Sequence, residues 1–388
     1  MWRHIASNAL TFLVVLAFLL GGVILWGQNE YTTQGPLQDR VCLRVESGAT
    51  MRGVSRQLQE LGAVSNASIY RIGAEYSGKN SQLKAGSWLV PERASMQEIV
   101  DIVTRGGAST CGTEVVFRIG VTQSEAQVRE LDPATDEFVM RAEFTLGEGD
   151  PPEIYRDVRS ESDTRYRIAI AEGVTSWQIV NSLNQIDVLE GEIAEQPPEG
   201  SLAPDSYEVR VGDTRESLVE RMDAAQDVLL AAAWENRAEG IPLNDPYEAL
   251  ILASIIEKET GQPEERGQVA SVFTNRLRQG MKLQTDPTVI YGITKGQGVL
   301  GRGLRQSELR NRTDWNTYVI DGLPPTPIAN PGRASLEAAV NPDATDYIFF
   351  VADGTGGHAF ATTLEEHNKN VAEWRKIEAE RAAEQATE

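Results

Sequence analysis

The chain has 388 residues, with 36 Lys and Arg against 57 Asp and Glu, a formal charge of -21. That balance leaves no room for a large basic surface and argues against nucleic acid as a partner. Its three histidines (His4, His358, His367) and two distant cysteines cannot make a usual zinc site, and no glycine loop reads convincingly as a phosphate cradle, so no metal and no cofactor is implied.

No charged residue occurs from Ile5 to Asn29, and Ala9 to Trp26 is dominated by Leu, Val, Phe and Ala, about the length needed to span a bilayer. One transmembrane helix over residues 8–27 is predicted, between a short tail (1–7) and a linker (28–40). A cleavable signal peptide is the competing reading, but no clear small-x-small site follows Trp26. The start Met1-Trp-Arg-His is short and positive while Glu30 follows the span, which places the amino terminus in the cytoplasm and the bulk of the chain outside.

Beyond the linker an internal repeat emerges. Val45-Glu-Ser-Gly48-Ala-Thr50 followed by Met51 to Leu58 parallels Ile170-Ala-Glu-Gly173-Val-Thr175 followed by Ser176 to Leu183. Each reads as a strand, a Gly-x-Thr cap and an amphipathic helix. The second halves also correspond: Leu83 to Trp88, then Ser95 and a helix over 96–103, against Leu202 to Tyr207, then Thr214 and Leu218. Two related modules are predicted, at 41–106 and 165–222. Cys42 and Cys111 bracket the first; in an oxidising compartment they could form a disulfide, or they could be two buried free thiols. Between the modules, residues 107–164 are polar and acidic. This segment reads as a partly ordered linker or insertion in which Val115 to Ile119 and Phe138 to Phe144 alternate like strands.

The next strong signal is the run Ala253-Ser-Ile-Ile-Glu257-Lys-Glu259-Thr-Gly261. Asp245 can cap a helix, Pro246 suits its first turn, Glu248 falls three residues after the cap, and Gly261 with Pro263 stop it, so a helix over about 246–260 is predicted. At roughly 100° per residue, Leu252, Ile255, Ile256 and Glu259 share one stripe while Glu257 lies about 160° away. The two acids therefore cannot share a site. A carboxyl on an apolar stripe is desolvated, which raises its pKa and lets it hold a proton near neutral pH, so Glu259 is the candidate acid. The plainer alternative is that Glu259 frays into solvent at the last turn. A second helix follows from Pro263 to Gly280 with Val269, Val272, Phe273 and Leu277 inward. Gln284, Thr285 and Asp286 then precede Pro287 and an apolar run, a loop-then-strand setting from which side chains could reach a cleft.

From this point the chain closely resembles the endolytic peptidoglycan lytic transglycosylases, the YceG-like family. The resemblance is carried by Ala-Ser-Ile-Ile-Glu-Lys-Glu-Thr, Val-Ala-Ser-Val-Phe-x-Asn-Arg-Leu (269–277), Leu-Gln-Thr-Asp-Pro-Thr-Val-Ile-Tyr-Gly (283–292) and Asn316-Thr-Tyr318. It continues in Gly322-Leu-Pro-Pro, Ile328-Ala-x-Pro-Gly332, Tyr347 to Gly354 and Gly356-Gly-His358-x-Phe360, covering roughly 247–370. The departures are the 107–164 insertion and the Gly-rich stretch from Thr294 to Leu309.

The resemblance implies one essential glutamate, the second of Glu-Lys-Glu-Thr, which is Glu259, with Glu257 in a supporting place. It implies substrate positioning by polar residues of the matched motifs: Gln284, Thr285, Asp286, Tyr291, Asn316, Tyr318, Asn330, Ser335 and His358. The implied fold is α+β, comprising a transmembrane helix, a LysM-like module of short strands and two helices at 41–106, and the second module packed on a lysozyme-like catalytic domain (223–370). A charged helix and tail (371–388) ends the chain. The implied function is an inner-membrane enzyme, catalytic domain periplasmic, that cuts the MurNAc-GlcNAc bond within nascent peptidoglycan strands to leave 1,6-anhydroMurNAc ends. It would terminate glycan polymerisation beside peptidoglycan synthases. Two other readings stand beside it: a non-catalytic peptidoglycan-binding scaffold, and a hydrolytic muramidase using Glu259 with water and aided by Asp286.

Overall fold

The computed structural model describes residues 2–161 and 163–385, and these fall into two units. One unit comprises residues up to 116 with 127–144 and 149–166; the other comprises 117–126, 145–148 and 167 onward.

The first unit begins with helix α1 (Trp2–Thr32) and continues through β1 (Val41–Val45), α2 (Met51–Glu60), α3 (Ala67–Tyr76), β2 (Gly86–Val90) and α4 (Met96–Arg105). Within α1, Leu10–Thr32 is long and apolar enough to cross a membrane, with mean hydropathy 2.5, a property a signal sequence shares. The expected linker over 28–40 is instead built into the module. The helix runs on to Thr32, Tyr31 packs against the module core, and Leu37 is buried in it. Gly35 N–H donates to Arg93 O (3.1 Å) and Arg93 N–H to Leu37 O (2.9 Å). Apolar side chains at positions 31 and 37 hold this segment down, since burying each removes apolar surface from water.

Local signals explain the module. Thr50 and Ser95 accept hydrogen bonds from the Gly53 and Glu98 amides and so start α2 and α4. The antiparallel pair β1/β2 sets Leu43 opposite Trp88, and both are buried with Val54, Leu58, Tyr70 and Ile99. Trp88 Nε1 donates to Lys84 O at 3.1 Å. A disulfide joins Cys42 to Cys111. The module carries three helices where two were expected, because Asn66 caps α3 through the Ser68 and Ile69 amides.

The described residues of the acidic segment hold three strands and a helix, more than its reading as a partly ordered insertion. The segment forms β3 (Thr113–Ile119), β4 (Ser124–Asp132), β5 (Glu137–Thr145) and α5 (Glu153–Arg159). Its acids are spent on cross-strand partners: Glu114 takes Arg129 (2.6 Å), Glu130 takes Arg141 (2.7 Å) and Glu143 takes Gln127 (2.8 Å). The alternating runs at Val115–Ile119 and Phe138–Phe144 are indeed strands, β3 and β5, and Val115, Phe117 and Val128 are buried. These strands belong to one sheet of order β5-β4-β3-β6-β7, completed by β6 (Arg165–Ile170) and β7 (Ser206–Val209).

In the second unit the repeated module supplies α6 (Ser176–Gln185) and α7 (Arg215–Glu235) after β6 and β7, again capped by threonines, Thr175 and Thr214. Helix α8 (Pro246–Glu259) starts where Asp245 accepts the Glu248 amide. It is not amphipathic: every residue from Ala249 to Ile256 is buried. After a 3-10 turn (Pro263–Glu265) come α9 (Arg266–Arg278), α10 (Asp286–Thr294), α11 (Gln306–Arg310) and α12 (Arg333–Val340). The hairpin β8 (Phe349–Ala352) and β9 (His358–Ala361) and helix α13 (Leu364–Gln385) complete it. Around α8 a core forms from α7, α9 and α12, including Phe273, Leu283 and Leu336.

Two expectations change here. The run after Asp286 is helix α10 rather than a strand, since Pro287 in its first turn favours helix. The C-terminal helix starts at Leu364, not Val371, and its first turns pack on the hairpin, with the His367 ring stacked on Phe349 at 5.0 Å. Residues 386–388 lie outside the described residues.

Candidate active site

Three consecutive side chains leave the end of α8 in three directions. Glu257 accepts the Gly332 amide at 3.0 Å, Lys258 Nζ donates to Gly173 O at 3.1 Å, and Glu259 Oε1 accepts from the Thr285 hydroxyl. The two acids thus occupy separate places, as helical geometry required. Glu257 contributes to the site only by holding the chain at Gly332.

Glu259 is held at the mouth of the core, half-buried and ringed by polar groups from α9, α10 and the β8/β9 hairpin. Burial pushes its carboxyl up to about 7, and the Asp286 charge adds to this, while the Thr285 hydrogen bond and the His358 and Arg276 charges oppose it. A carboxyl so placed carries its proton at neutral pH about as often as not, which suits a group that must first give and then take one.

The partners are themselves fixed. Thr285 is buried; its amide donates to Thr317 Oγ1 (3.0 Å), and Thr317 Oγ1 also meets Thr288 Oγ1 (2.9 Å). Gln284 precedes it with φ 51°, a left-handed backbone that turns the chain, while its side chain is exposed. Asp286 is exposed at the start of α10, where its Oδ1 accepts from Tyr318 OH at 2.6 Å. Burial first, and then that hydrogen bond, push the Tyr318 hydroxyl up. Buried Arg276 donates to Leu283 O (2.6 Å) and Ile348 O (2.7 Å), tying the segment before α10 to the hairpin. Asn275 adds bonds to Thr345 O (2.8 Å) and Tyr347 O (3.0 Å). His358, at the start of β9, meets Glu265 twice: its amide donates to Oε1 (2.8 Å) and its Nδ1 lies 2.9 Å from Oε2.

Of the residues singled out from sequence, Thr285, Asp286, Tyr318 and His358 are thereby gathered around Glu259, while the exposed Gln284 side chain is not brought to it. Nor are four others. Asn316 is fully buried, with its Nδ2 bonded to Glu308 O, Leu309 O and Asn311 O, so it shapes a loop instead of facing a substrate. Asn330 is equally buried, bonding Val174 O (2.9 Å), Ser176 Oγ and the Leu202 amide. Ser335 is sealed inside α12. Tyr291 packs on Trp315 and donates to half-buried Glu199 at 3.2 Å, apart from Glu259. For Asn316, Asn330 and Tyr291 the hydrogen-bonding capacity is directed inward, where a sugar cannot compete, and the Ser335 hydroxyl is buried without a hydrogen-bond partner among the described residues.

Sequence reading missed Arg276, Glu265 and Thr317. Arg276 was legible in principle: it stands on the buried side of α9, seven residues after Val269 and three after Phe273, and a charge on an apolar face is a signal. Thr317 stands inside the matched Asn316-Thr-Tyr318 run, whereas Glu265 gave no signal, because only the chain's return at β9 gives it a partner. Among the described residues, no group of three or more His, Cys, Asp or Glu side chains could hold a metal ion.

A family model described as the YceG-like family matches residues 116–373, and the chain belongs to that family. A Bacillus subtilis protein named endolytic murein transglycosylase is 28% identical over 358 residues, 90% of this chain and 89% of that protein. A Streptococcus pneumoniae protein of the same name is 26% identical over 383 residues, 95% of this chain and 65% of that longer protein. The crystal structure of a YceG-like protein from Listeria monocytogenes aligns over 86% of this chain and 99% of its own, at 25% identity and a TM-score of 0.45.

Proposed function

We propose that this chain is a membrane-anchored endolytic lytic transglycosylase that cleaves the bond between N-acetylmuramic acid and N-acetylglucosamine within peptidoglycan strands, with Glu259 as its catalytic acid and base. The observation that carries the reading is the Glu259 carboxyl itself, pushed up to about 7 by burial at the end of α8 and touched by Thr285. The names of the Bacillus and Streptococcus relatives support the substrate and the reaction.

The reaction follows from a carboxyl of this kind. Protonated Glu259 gives its proton to the glycosidic oxygen as the C1–O4 bond breaks. The carboxylate left behind takes the proton of the muramic acid 6-hydroxyl, whose oxygen attacks C1 and closes a 1,6-anhydro ring. No water is consumed, and the enzyme recovers its proton. Thr285 and Arg276 stabilise the carboxylate between the two transfers, and Asp286, held by Tyr318, favours its reprotonation. One carboxyl then suffices where hydrolytic glycosidases usually use two.

The alignment of α1 with a bilayer, the catalytic unit on its outer side, glycan binding by a LysM-like first module, and release of nascent strands beside their synthases are further parts of this proposal. They rest on the apolar helix and on the sequence resemblance. A hydrolytic muramidase is the second reading, favoured by one observation: Asp286 lies close enough to Glu259 to act on its charge.

The deciding experiment is incubation of the protein with purified glycan strands and mass analysis of the products, beside Glu259→Gln. Products one water lighter than hydrolytic ones, reduced by about 10²–10⁴-fold in the variant, are expected. Water-added products would establish the muramidase, and undiminished cleavage by Glu259→Gln would remove Glu259 from the mechanism.

A further inference from the structure

The end of α1 does not hang free from the first module; it is packed across one of the module's helices. The Ser65 hydroxyl donates to Glu30, and Gly73 lies so close beneath the Tyr31 ring that a Cβ at that position would overlap it. Positions 65 and 73 bracket most of α3, yet they meet adjacent residues of α1. Helix α3 therefore crosses the end of α1 instead of running along it.

The depth of that crossing follows from helix geometry. The unbroken apolar run of α1 ends at Trp26, and Tyr31 is five residues on, roughly 7 Å along the axis. The headgroup zone on one side of a bilayer is roughly 5–7 Å deep. If α1 spans the bilayer, as the proposed function holds, α3 lies at headgroup level.

The surface that α3 offers there is apolar. Tyr70 and Ala74 enter the module core, Ile69 packs against that core, and Gly73 meets α1. At roughly 100° per residue, Ile72 and Tyr76 lie about 160° from the core-facing pair, next to the α1 seam. They are 61% and 95% exposed, which for a large apolar and an aromatic side chain on one helix face is a cost in water. Ser68 and Glu75 mark the polar side of the same helix. Tyr76 and Trp26 are exposed aromatics, the second at the point where α1 leaves its apolar run, and tyrosine and tryptophan are the side chains favoured at a bilayer interface.

We propose that the Ile72/Tyr76 face of α3 is a lipid-contacting surface, seated in the headgroup layer of the membrane that α1 spans, so that the first module lies on the bilayer instead of swinging on a tether. The inference rests on the membrane-anchor part of the proposed function and goes beyond it.

The test uses the full chain in nanodiscs of phosphatidylcholine and phosphatidylglycerol, with an environment-sensitive fluorophore attached at single introduced cysteines, the native pair remaining in its disulfide. Label on Ile72→Cys and on Tyr76→Cys is expected to shift to the blue and to be quenched by spin-labelled lipid and shielded from iodide, while Glu75→Cys, on the polar side, remains open to iodide. Iodide quenching at 72 and 76 equal to that at 75 would overturn the proposal. Label on Leu19→Cys separates the two failures. Quenching at 19 by lipid labelled deep in the chain, without quenching at 72 and 76, defeats the docking face alone. No quenching at 19 defeats the anchor on which it rests.

Discussion

The two repeated modules begin from the same local code and end in different roles. In each, a strand is followed by a glycine with positive φ (Gly48 at 82°, Gly173 at 78°), then a threonine cap and a ten-residue helix. The second halves match as closely: Trp88 Nε1 and Tyr207 OH each donate to the carbonyl four residues earlier, Lys84 O and Ala203 O. What differs is what touches the turn. Around Gly48 nothing approaches, whereas Gly173 lies against Glu257 and Lys258, its carbonyl takes the Lys258 ammonium, and its amide donates to Asn330 O at 2.9 Å. One copy is closed by a disulfide and leaves its turn untouched; the other is riveted at that turn to the helix that ends in Glu259. A repeat can thus preserve its fold while one copy is recruited to hold a reactive group.

The largest expected break in that comparison is Asn330→Ala. It removes the side-chain bonds to Val174 O, Ser176 Oγ and the Leu202 amide; the backbone amide at 330 still donates to Val174 O (3.0 Å) and Ser176 Oγ still donates to Pro198 O (2.9 Å), but the Leu202 amide loses its partner, and the second unit should be destabilised by about 4 kcal/mol. Denaturant unfolding reads the loss, and cleavage should fall with it as the turn that holds Lys258 loosens, although the backbone bond from the Gly173 amide to position 330 remains. The reciprocal change, Cys42→Ser with Cys111→Ser, should cost the first module about 3 kcal/mol by freeing a 69-residue separation in the unfolded chain. Limited proteolysis within residues 41–106 should accelerate while cleavage of soluble glycan persists. Equal loss of cleavage in both variants would refute the division of labour between the copies.

A smaller effect sharpens the role of the braced helix. Glu259 holds its proton up to about 7 in the fold but only to an ordinary carboxyl value when unfolded, so the native state binds more protons between those two pH values. Its stability therefore declines as pH rises from about 4.5 to about 7 and stays lowered above that. Glu259→Gln should accordingly be more stable than the parent by about 2 kcal/mol at pH 8 and nearly equal at pH 4.5, seen as a pH-dependent difference in Tm. A pH-independent difference would mean that burial does not hold the proton on Glu259. The smallest contrast is the glycine pair. Gly48→Ala and Gly173→Ala each impose about 1 kcal/mol of backbone strain through positive φ, but only Gly173→Ala should also lower kcat, since relief of that strain would shift the carbonyl that accepts from Lys258, whereas nothing lies within 4 Å of a Cβ at Gly48.

Much of this protein is written in short-range signals. Asp245, Thr50, Ser95 and Thr175 announce their helices because a cap acts within three residues, and the apolar run of α1 announces itself by length alone. The divergence of Glu257 and Glu259 also followed from helical geometry without knowledge of any partner. Glu259 was chosen from an apolar stripe that the fold replaces with a helix buried all round, so the residue was found although the reason was incomplete.

Only the tertiary structure decided which polar residues face the carboxyl. Thr285, Asp286, Tyr318 and His358 reach it because α10 and the β8/β9 hairpin return to the end of α8, whereas Asn316, Asn330 and Ser335, from motifs no less distinctive, turn inward. A motif fixes which side chains a segment carries; burial and long-range pairing fix where each one points. In the acidic segment, alternation at Val115–Ile119 and Phe138–Phe144 announces two strands, whereas the partners of Glu114, Glu130 and Glu143 come only with the sheet. Caps and spans are local and so belong to the sequence; the environment that sets the Glu259 proton is assembled from segments up to about a hundred residues apart, and only the packed chain brings them together.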